Sequence, residues 1–185
     1  MKLRYYQEEA VDETLKWLDT QPTYPLIVLP TGSGKTIVFT TIIKQLFERD
    51  PDCRILILAH RQELISQAKD KLLSVWSSAP CGILAAGLKE FDDVSPVVIA
   101  SRDTLATPKR LENTTHFDYI IVDEAHHVGL EKASRYQKIF NHFNAAQHYA
   151  PKIFGVTATP YRMGQGFIYG LGAGFFGGVS YPIGI

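Results

Sequence analysis

The sequence predicts an α/β fold, a sandwich of helices around a central, mainly parallel sheet. Three observations predict it. Several short runs are apolar throughout and rich in Ile and Val, as strands buried on both faces are. Amphipathic stretches of helical period separate them. Prolines and glycines mark the joints between the two kinds of segment. In chain order, Ala10, Val11, Leu15 and Leu18 mark a first helix, and Pro22 and Pro25 break the chain after it. Leu26 to Leu29 is the first strand. Val38, Ile42 and Leu46 mark the second helix, Ile55 to Ala59 the second strand, and Ile65, Ala68, Leu72 and Val75 the third helix. A weaker run, Gly82 to Ala86, is a further candidate strand. Val97 to Ala100 and Tyr119 to Val122 are strands. Ala133, Tyr136, Phe140 and Phe143 mark a helix, and Lys152 to Val156 a last strand. From Gly164 to Ile185 the chain is dense in glycine and aromatics and reads as loop or linker. Its Gly172-Ala173-Gly174-Phe175-Phe176-Gly177 has dinucleotide-fingerprint spacing. No strand clearly precedes it, and too little chain follows to build the unit that fingerprint needs.

Composition narrows the class. At 185 residues the chain fits one ordinary domain, and a 45% hydrophobic content is enough for a core. Formal net charge is zero, so contact with a polyanion must come from a local patch. Cys53 and Cys81 have no metal-ligand spacing and lie beside apolar runs, which predicts buried free thiols. The start, Met1 to Arg4, lacks the apolar stretch of a secretory leader, which leaves the sequon at Asn113-Thr114-Thr115 without meaning. No apolar run is long enough to span a membrane. A cytoplasmic location is expected.

Pro30-Thr31-Gly32-Ser33-Gly34-Lys35-Thr36 follows the first strand directly and opens a helix. That is the context of a phosphate cradle. Gly32 and Gly34 let successive N–H groups turn toward one anion, and the helix dipole adds to them. Lys35 can reach terminal phosphates, and the Thr36 hydroxyl can ligate Mg²⁺. Thr31 and Ser33 complete the loop. Leu29 stands where the strict pattern has its first glycine. Tyr119 to Val122 runs into Asp123-Glu124-Ala125-His126-His127. Beside a phosphate loop, Asp123 can hold Mg²⁺ and Glu124 can orient and deprotonate an attacking water. Taken alone, the acidic pair would read as a helix cap. The histidines lack the His-Glu-x-x-His spacing of a zinc site.

Together these residues resemble superfamily 2 helicases and translocases, whose domains are RecA-like P-loop NTPase sandwiches. The resemblance covers positions 3 to 163. Leu3-Arg4-Tyr5-Tyr6-Gln7 is similar to the adenine-recognising Q motif, Pro30 to Thr36 to motif I, and Ala59 to Leu64 to motif Ia. Ser101 to Leu105 is similar to motif Ib, Asp123 to His126 to the DEAH form of motif II, and Thr157-Ala158-Thr159-Pro160 to motif III. Within the superfamily, Leu84 to Lys89 and Thr157 to Tyr169 resemble bacterial RadD-like DNA-repair helicases. The resemblance implies ATP and Mg²⁺ as ligands, with Arg4 and Gln7 on the adenine edge. It implies that Arg61, Ser101 and Thr104 meet nucleic-acid phosphates, and that Thr157, Thr159 and His126 couple nucleotide state to motion. Arg61 in a solvated first helical turn, and Ser101 or Thr104 as helix caps, are the structural alternatives.

These motors use two RecA-like domains, and this length accommodates one. Residues 1–163 are expected to be the first, with 164–185 leading toward the second. Alone, the chain is expected to bind nucleotide but turn it over poorly, because the arginine finger belongs to the other domain. The favoured reading is an ATP-dependent DNA helicase acting in repair. The alternatives are a restriction-enzyme-type duplex translocase, an RNA helicase and a nucleotide-dependent binding module.

Overall fold

The apolar runs become strands because each is buried on both faces. The computed structural model describes residues 2–131, 134–146, 150–162, 166–170 and 174–182. Its strands are β1 (Pro25–Val28), β2 (Ile55–Ala59), β3 (Cys81–Ala85), β4 (Glu90–Phe91), β5 (Val97–Ser101), β6 (Tyr119–Asp123), β7 (Lys152–Thr157), β8 (Tyr161–Arg162), β9 (Gly166–Phe167) and β10 (Gly178–Pro182). Its helices are α1 (Tyr5–Thr20), α2 (Lys35–Arg49), α3 (Gln62–Val75), α4 (Arg102–Leu105), α5 (Pro108–Asn113) and α6 (Arg135–Ala146). The weaker run at Gly82 to Ala86 is realised as β3. Of the residues that mark the last helix, Tyr136, Phe140 and Phe143 are buried on α6, and Ala133 lies outside the described residues. Among the described residues no helix is long and apolar enough to cross a membrane.

Eight strands form one sheet in the order β10-β1-β7-β6-β2-β5-β3-β4. All neighbours are parallel except β3 and β4. Successive side chains face opposite layers. Ile55, Ile57 and Ala59 of β2 join a core with α1, α2 and α3, whereas Leu56 and Leu58 join one with α6. The result is the expected three-layer α/β sandwich. Parallel pairing has a functional consequence, because it brings the carboxyl ends of β1, β7, β6, β2 and β5 to one edge, in that spatial order.

The expectation of loop or linker from Gly164 onward is corrected in part. Gly178–Pro182 is a strand that pairs with β1. The glycines there serve close approach rather than freedom. A Cβ on Gly178 would stand 2.7 Å from the Trp17 ring, and one on Gly177 would collide with Thr23. Ser180 Oγ lies 3.0 Å from Thr14 Oγ1, and the Tyr181 hydroxyl donates to Glu9. Phe176 is fully buried, and Gly155 makes room for it, since a Cβ there would stand 2.5 Å from its ring. Phe175 stacks on Phe140 at 4.7 Å. Met163, Gly164 and Gln165, together with residues 171–173 (Gly172 and Ala173 of the dinucleotide-like spacing among them) and 183–185, lie outside the described residues. Phe176→Ala is expected to lower stability by about 3–5 kcal/mol, the usual range for a buried aromatic. Urea unfolding measures this, and a loss below about 1 kcal/mol would make the tail peripheral.

Cys53 is buried, and burial raises its thiol pKa to about 11. Cys81 is only half-buried, which corrects the expectation of two buried thiols; both are free.

Candidate nucleotide-binding cleft

Beyond β1 the backbone turns through Pro30 to Gly34 before α2 begins. Leu29 keeps the alignment of the strand, with its N–H on Thr157 O at 3.0 Å and its side chain fully buried. Gly32 and Gly34 have φ of +81° and +89°, a region that side chains avoid. At Gly34 a Cβ would also stand 2.5 Å from Gln7 Nε2. The N-terminus of α2 has no side-chain cap and no acid in its first turn. Its unpaired N–H groups and dipole are therefore free for an anion.

The Leu3–Gln7 segment braces this loop. Gln7 is buried; its Nε2 donates to Ser33 O at 2.9 Å and its Oε1 accepts from Arg4 N at 2.9 Å. The Tyr6 hydroxyl donates to the same carbonyl at 3.0 Å, and Arg4 donates to the Tyr6 oxygen. Part of the Gln7 amide is thus spent on holding the loop. Arg4 itself is exposed.

A cleft of about 410 Å³ opens beside the loop. Thr31, Gly32, Gly34, Lys35 and Thr36 line it from one side, and Asp123 and Glu124 from the end of β6. A third wall, missed in the sequence, is the face of α3 that carries Leu64, Gln67, Lys71 and Ser74. Its signal was present. These positions recur at three- and four-residue spacing, one step around from the apolar face Ile65, Ala68 and Leu72.

Asp123 Oδ1 accepts the Glu124 N–H at 2.9 Å. Glu124 has φ of +52° and ψ of +53°, a conformation that costs a non-glycine residue about 1 kcal/mol or more. Burial, then the neighbouring Glu124, pushes the Asp123 pKa up to about 6, against the pull of Lys35 and Lys71. A half-buried carboxylate in the same cleft as Thr36, beside a second carboxylate, suits a divalent cation, which takes oxygen donors. Among the described residues no group of three or more His, Cys, Asp or Glu could hold a metal by itself.

This gives a pH dependence. Only the ionised carboxylate can be a ligand. Affinity for Mg·ADP should be level well above pH 6, should halve near that value, and should fall about tenfold per unit below it. Calorimetry of the parent against Asp123→Asn subtracts the titration of the nucleotide. Identical profiles for the two would remove Asp123 from the metal site.

His126 Nδ1 lies 2.9 Å from Thr157 Oγ1 and 3.4 Å from Glu124 Oε2. Thr157 Oγ1 donates to Thr159 O at 3.0 Å and accepts from Thr159 N at 3.1 Å. A carboxylate only accepts, so a proton on His126 Nδ1 is the tautomer that satisfies Glu124, and it leaves the Thr157 hydroxyl proton for Thr159 O. His126 thus meets Glu124 directly, Thr157 reaches the pair through His126, and Thr159 holds the Thr157 hydroxyl with its backbone.

The residues expected to meet nucleic acid separate. Arg61 is exposed at the start of α3, on the same sheet edge. Ser101 and Thr104 are buried. Ser101 Oγ accepts the Thr104 N–H and caps α4, and Thr104 Oγ1 accepts the Ala86 N–H at 3.0 Å. This geometry gives both hydroxyls the holding role of a cap rather than an open phosphate contact.

Comparison with known proteins adds to this geometry. Residues 1–162 match the family described as type III restriction enzyme, res subunit. IRC3 of Saccharomyces cerevisiae, classed by name with ATP-dependent helicases, is 34% identical over 165 residues, covering 85% of this chain and 23% of that protein. The DNA 3'-5' translocase XPB2 of Sulfurisphaera tokodaii is 31% identical over 88% of this chain and 32% of its own. The chain thus spans 23% and 32% of the lengths of these two relatives. Among solved structures, a nuclease-deletion mutant of the type ISP restriction-modification enzyme LlaGI with a DNA substrate mimic has a TM-score of 0.74 at 18% identity. That match covers 100% of this chain and 20% of the other, a likeness of fold.

Proposed function

The chain belongs to the family of type III restriction enzyme res subunits, and on that premise we propose that it is the first RecA-like domain of an ATP-driven superfamily 2 motor that works on DNA. One observation carries the reading. The uncapped start of α2, with Lys35 and Thr36, faces the Asp123–Glu124 pair across a single cleft. An anion cradle opposite a carboxylate pair is what phosphate-anhydride hydrolysis requires.

In this reading the N–H groups at Gly32 to Thr36 and the Lys35 ammonium hold the phosphates, within the loop from Thr31. Thr36 and Asp123 hold Mg²⁺, which neutralises phosphate charge when bound. Glu124 takes the proton of the attacking water, and His126 fixes its carboxylate. Thr157 and Thr159 tie that group to β7. Arg4 and the remaining valences of Gln7 face the adenine edge. Arg61 meets a backbone phosphate, on a surface that Ser101 and Thr104 support from within. Phosphate contacts of this kind bind without reading sequence.

The finer reading is a DNA-repair helicase of the RadD-like kind, on the strength of Leu84 to Lys89 and Thr157 to Tyr169. The passage to a second RecA-like domain follows β10. The free thiols suit a cytoplasmic setting. A duplex translocase is the second reading, favoured by the restriction-enzyme family itself.

Fluorescence anisotropy with unrelated oligonucleotides, over a range of salt, tests the nucleic-acid half. Binding should be weak and independent of sequence, and should fall with salt on a shallow slope. Arg61→Ala should weaken all sequences alike. Tight, salt-insensitive binding to one sequence would overturn this reading.

A further inference from the structure

Three imidazoles lie in a row beyond the carboxyl ends of β2 and β6, with neighbouring rings tilted by 51° and 42°. His60 follows β2, and His126 and His127 follow β6. Ring centroids are 4.0 Å apart for His60 and His127, and 4.1 Å for His126 and His127. His126 then reaches Thr157 at the end of β7. In the sheet β6 lies between β2 and β7, so the row of rings together with Thr157 spans all three.

Its two ends differ in chemistry. At one end His60 precedes the exposed Arg61, and its own Nδ1 is buried without a hydrogen-bond partner, so packing holds the ring at that atom. At the other end His126 Nδ1 meets the Glu124 carboxylate. Between them, His127 ends the turn Ala125–His127, and its N–H donates to Glu124 O at 3.0 Å. That bond closes the turn at the residue with left-handed backbone. Burial lowers the pKa of all three imidazoles, that of His127 to about 4, with Arg102 and Arg162 bordering the row. Near neutral pH the rings are therefore uncharged and do not repel one another.

We propose that this row of packed rings links nucleic acid held at Arg61 to the orientation of Glu124, with His60 and His127 as positioning residues. The inference rests on the functional reading above. A phosphate that draws Arg61 shifts the corner between β2 and α3, and His60 moves with it. Packed rings have little slack, so the shift reaches His127 and the turn it ends. Glu124 follows, because its backbone conformation is set by that turn. Linkage requires the reverse effect, nucleotide altering nucleic-acid affinity by the same factor.

The test uses the whole chain with nitrogen-labelled histidine and a single-stranded oligonucleotide of mixed sequence. In the parent, the oligonucleotide should move the His126 imidazole resonances and change Mg·ADP affinity about fivefold or more. In His127→Ala, oligonucleotide affinity should stay within about threefold while both responses disappear. His127→Phe, which keeps a ring in the row, should retain them. If His127→Ala does not fold, His60→Ala applies the same test from the other end. Persistence of the coupling in the alanine variant, or its loss in the phenylalanine variant, overturns the link. Oligonucleotide binding in the parent without either response overturns the link alone. No binding at all overturns the functional reading and the link with it.

Discussion

Lys35→Ala should abolish tight nucleotide binding, with a loss of affinity for Mg·ATP of about a hundredfold or more. Lys35 is the first residue of α2 and faces the cleft opposite Asp123. Hydrogen bonds to charged groups contribute up to about 3 kcal/mol, and each 1.4 kcal/mol is a factor of ten in affinity. Lys35 also pulls Asp123 toward its ionised form. Its loss therefore weakens the metal site as well as the phosphate contact. Folding should survive, because Lys35 makes no ion pair among the described residues and alanine is a good helix former. Calorimetry with Mg·ATP reads the effect, and circular dichroism checks the fold. Affinity within about threefold of the parent would remove Lys35 from the phosphate site.

The sheet was legible in sequence because two-sided burial leaves continuous Ile- and Val-rich runs, and no other segment of this chain does that. The turn from Pro30 to Gly34 was legible because its glycines answer a backbone demand, φ above zero at Gly32 and Gly34. The tail was misread because glycine has a second use. Gly155, Gly177 and Gly178 make room for Phe176, Thr23 and Trp17, and nothing in the local sequence names those partners. The α3 wall was missed because Gln67, Lys71 and Ser74 look like an ordinary solvated face until the loop is set against them. Motif similarity pointed to Ser101 and Thr104 but could not show where their hydroxyls turn, which burial and capping decide. The same limit applies to Gln7. Its partner is a backbone carbonyl, Ser33 O, and carbonyls leave no trace in side-chain patterns.

Glu124→Gln should separate binding from chemistry. Glutamine has nearly the shape of glutamate and can still accept a hydrogen bond from His126 Nδ1. The turn at Ala125–His127 is closed by the main-chain bond from His127 N to Glu124 O, which the substitution leaves in place. What glutamine lacks is basicity. A positioned general base contributes about 10²–10⁴ in rate. In protein that carries the second RecA-like domain as well, hydrolysis under single-turnover conditions, with protein in excess over labelled Mg·ATP, should therefore fall by at least about 10². Affinity for Mg·ATP should hold within about threefold, because in the proposed role Glu124 acts on the water rather than on the ground-state phosphates. It should rise slightly if anything, since one negative charge leaves the cleft and Asp123 then ionises more readily. Set beside Lys35→Ala, the two variants fail in opposite ways, one without nucleotide and one with nucleotide held intact. Normal hydrolysis in Glu124→Gln would show that another group takes the proton. Lost binding would show that Glu124 supports the phosphate cradle instead.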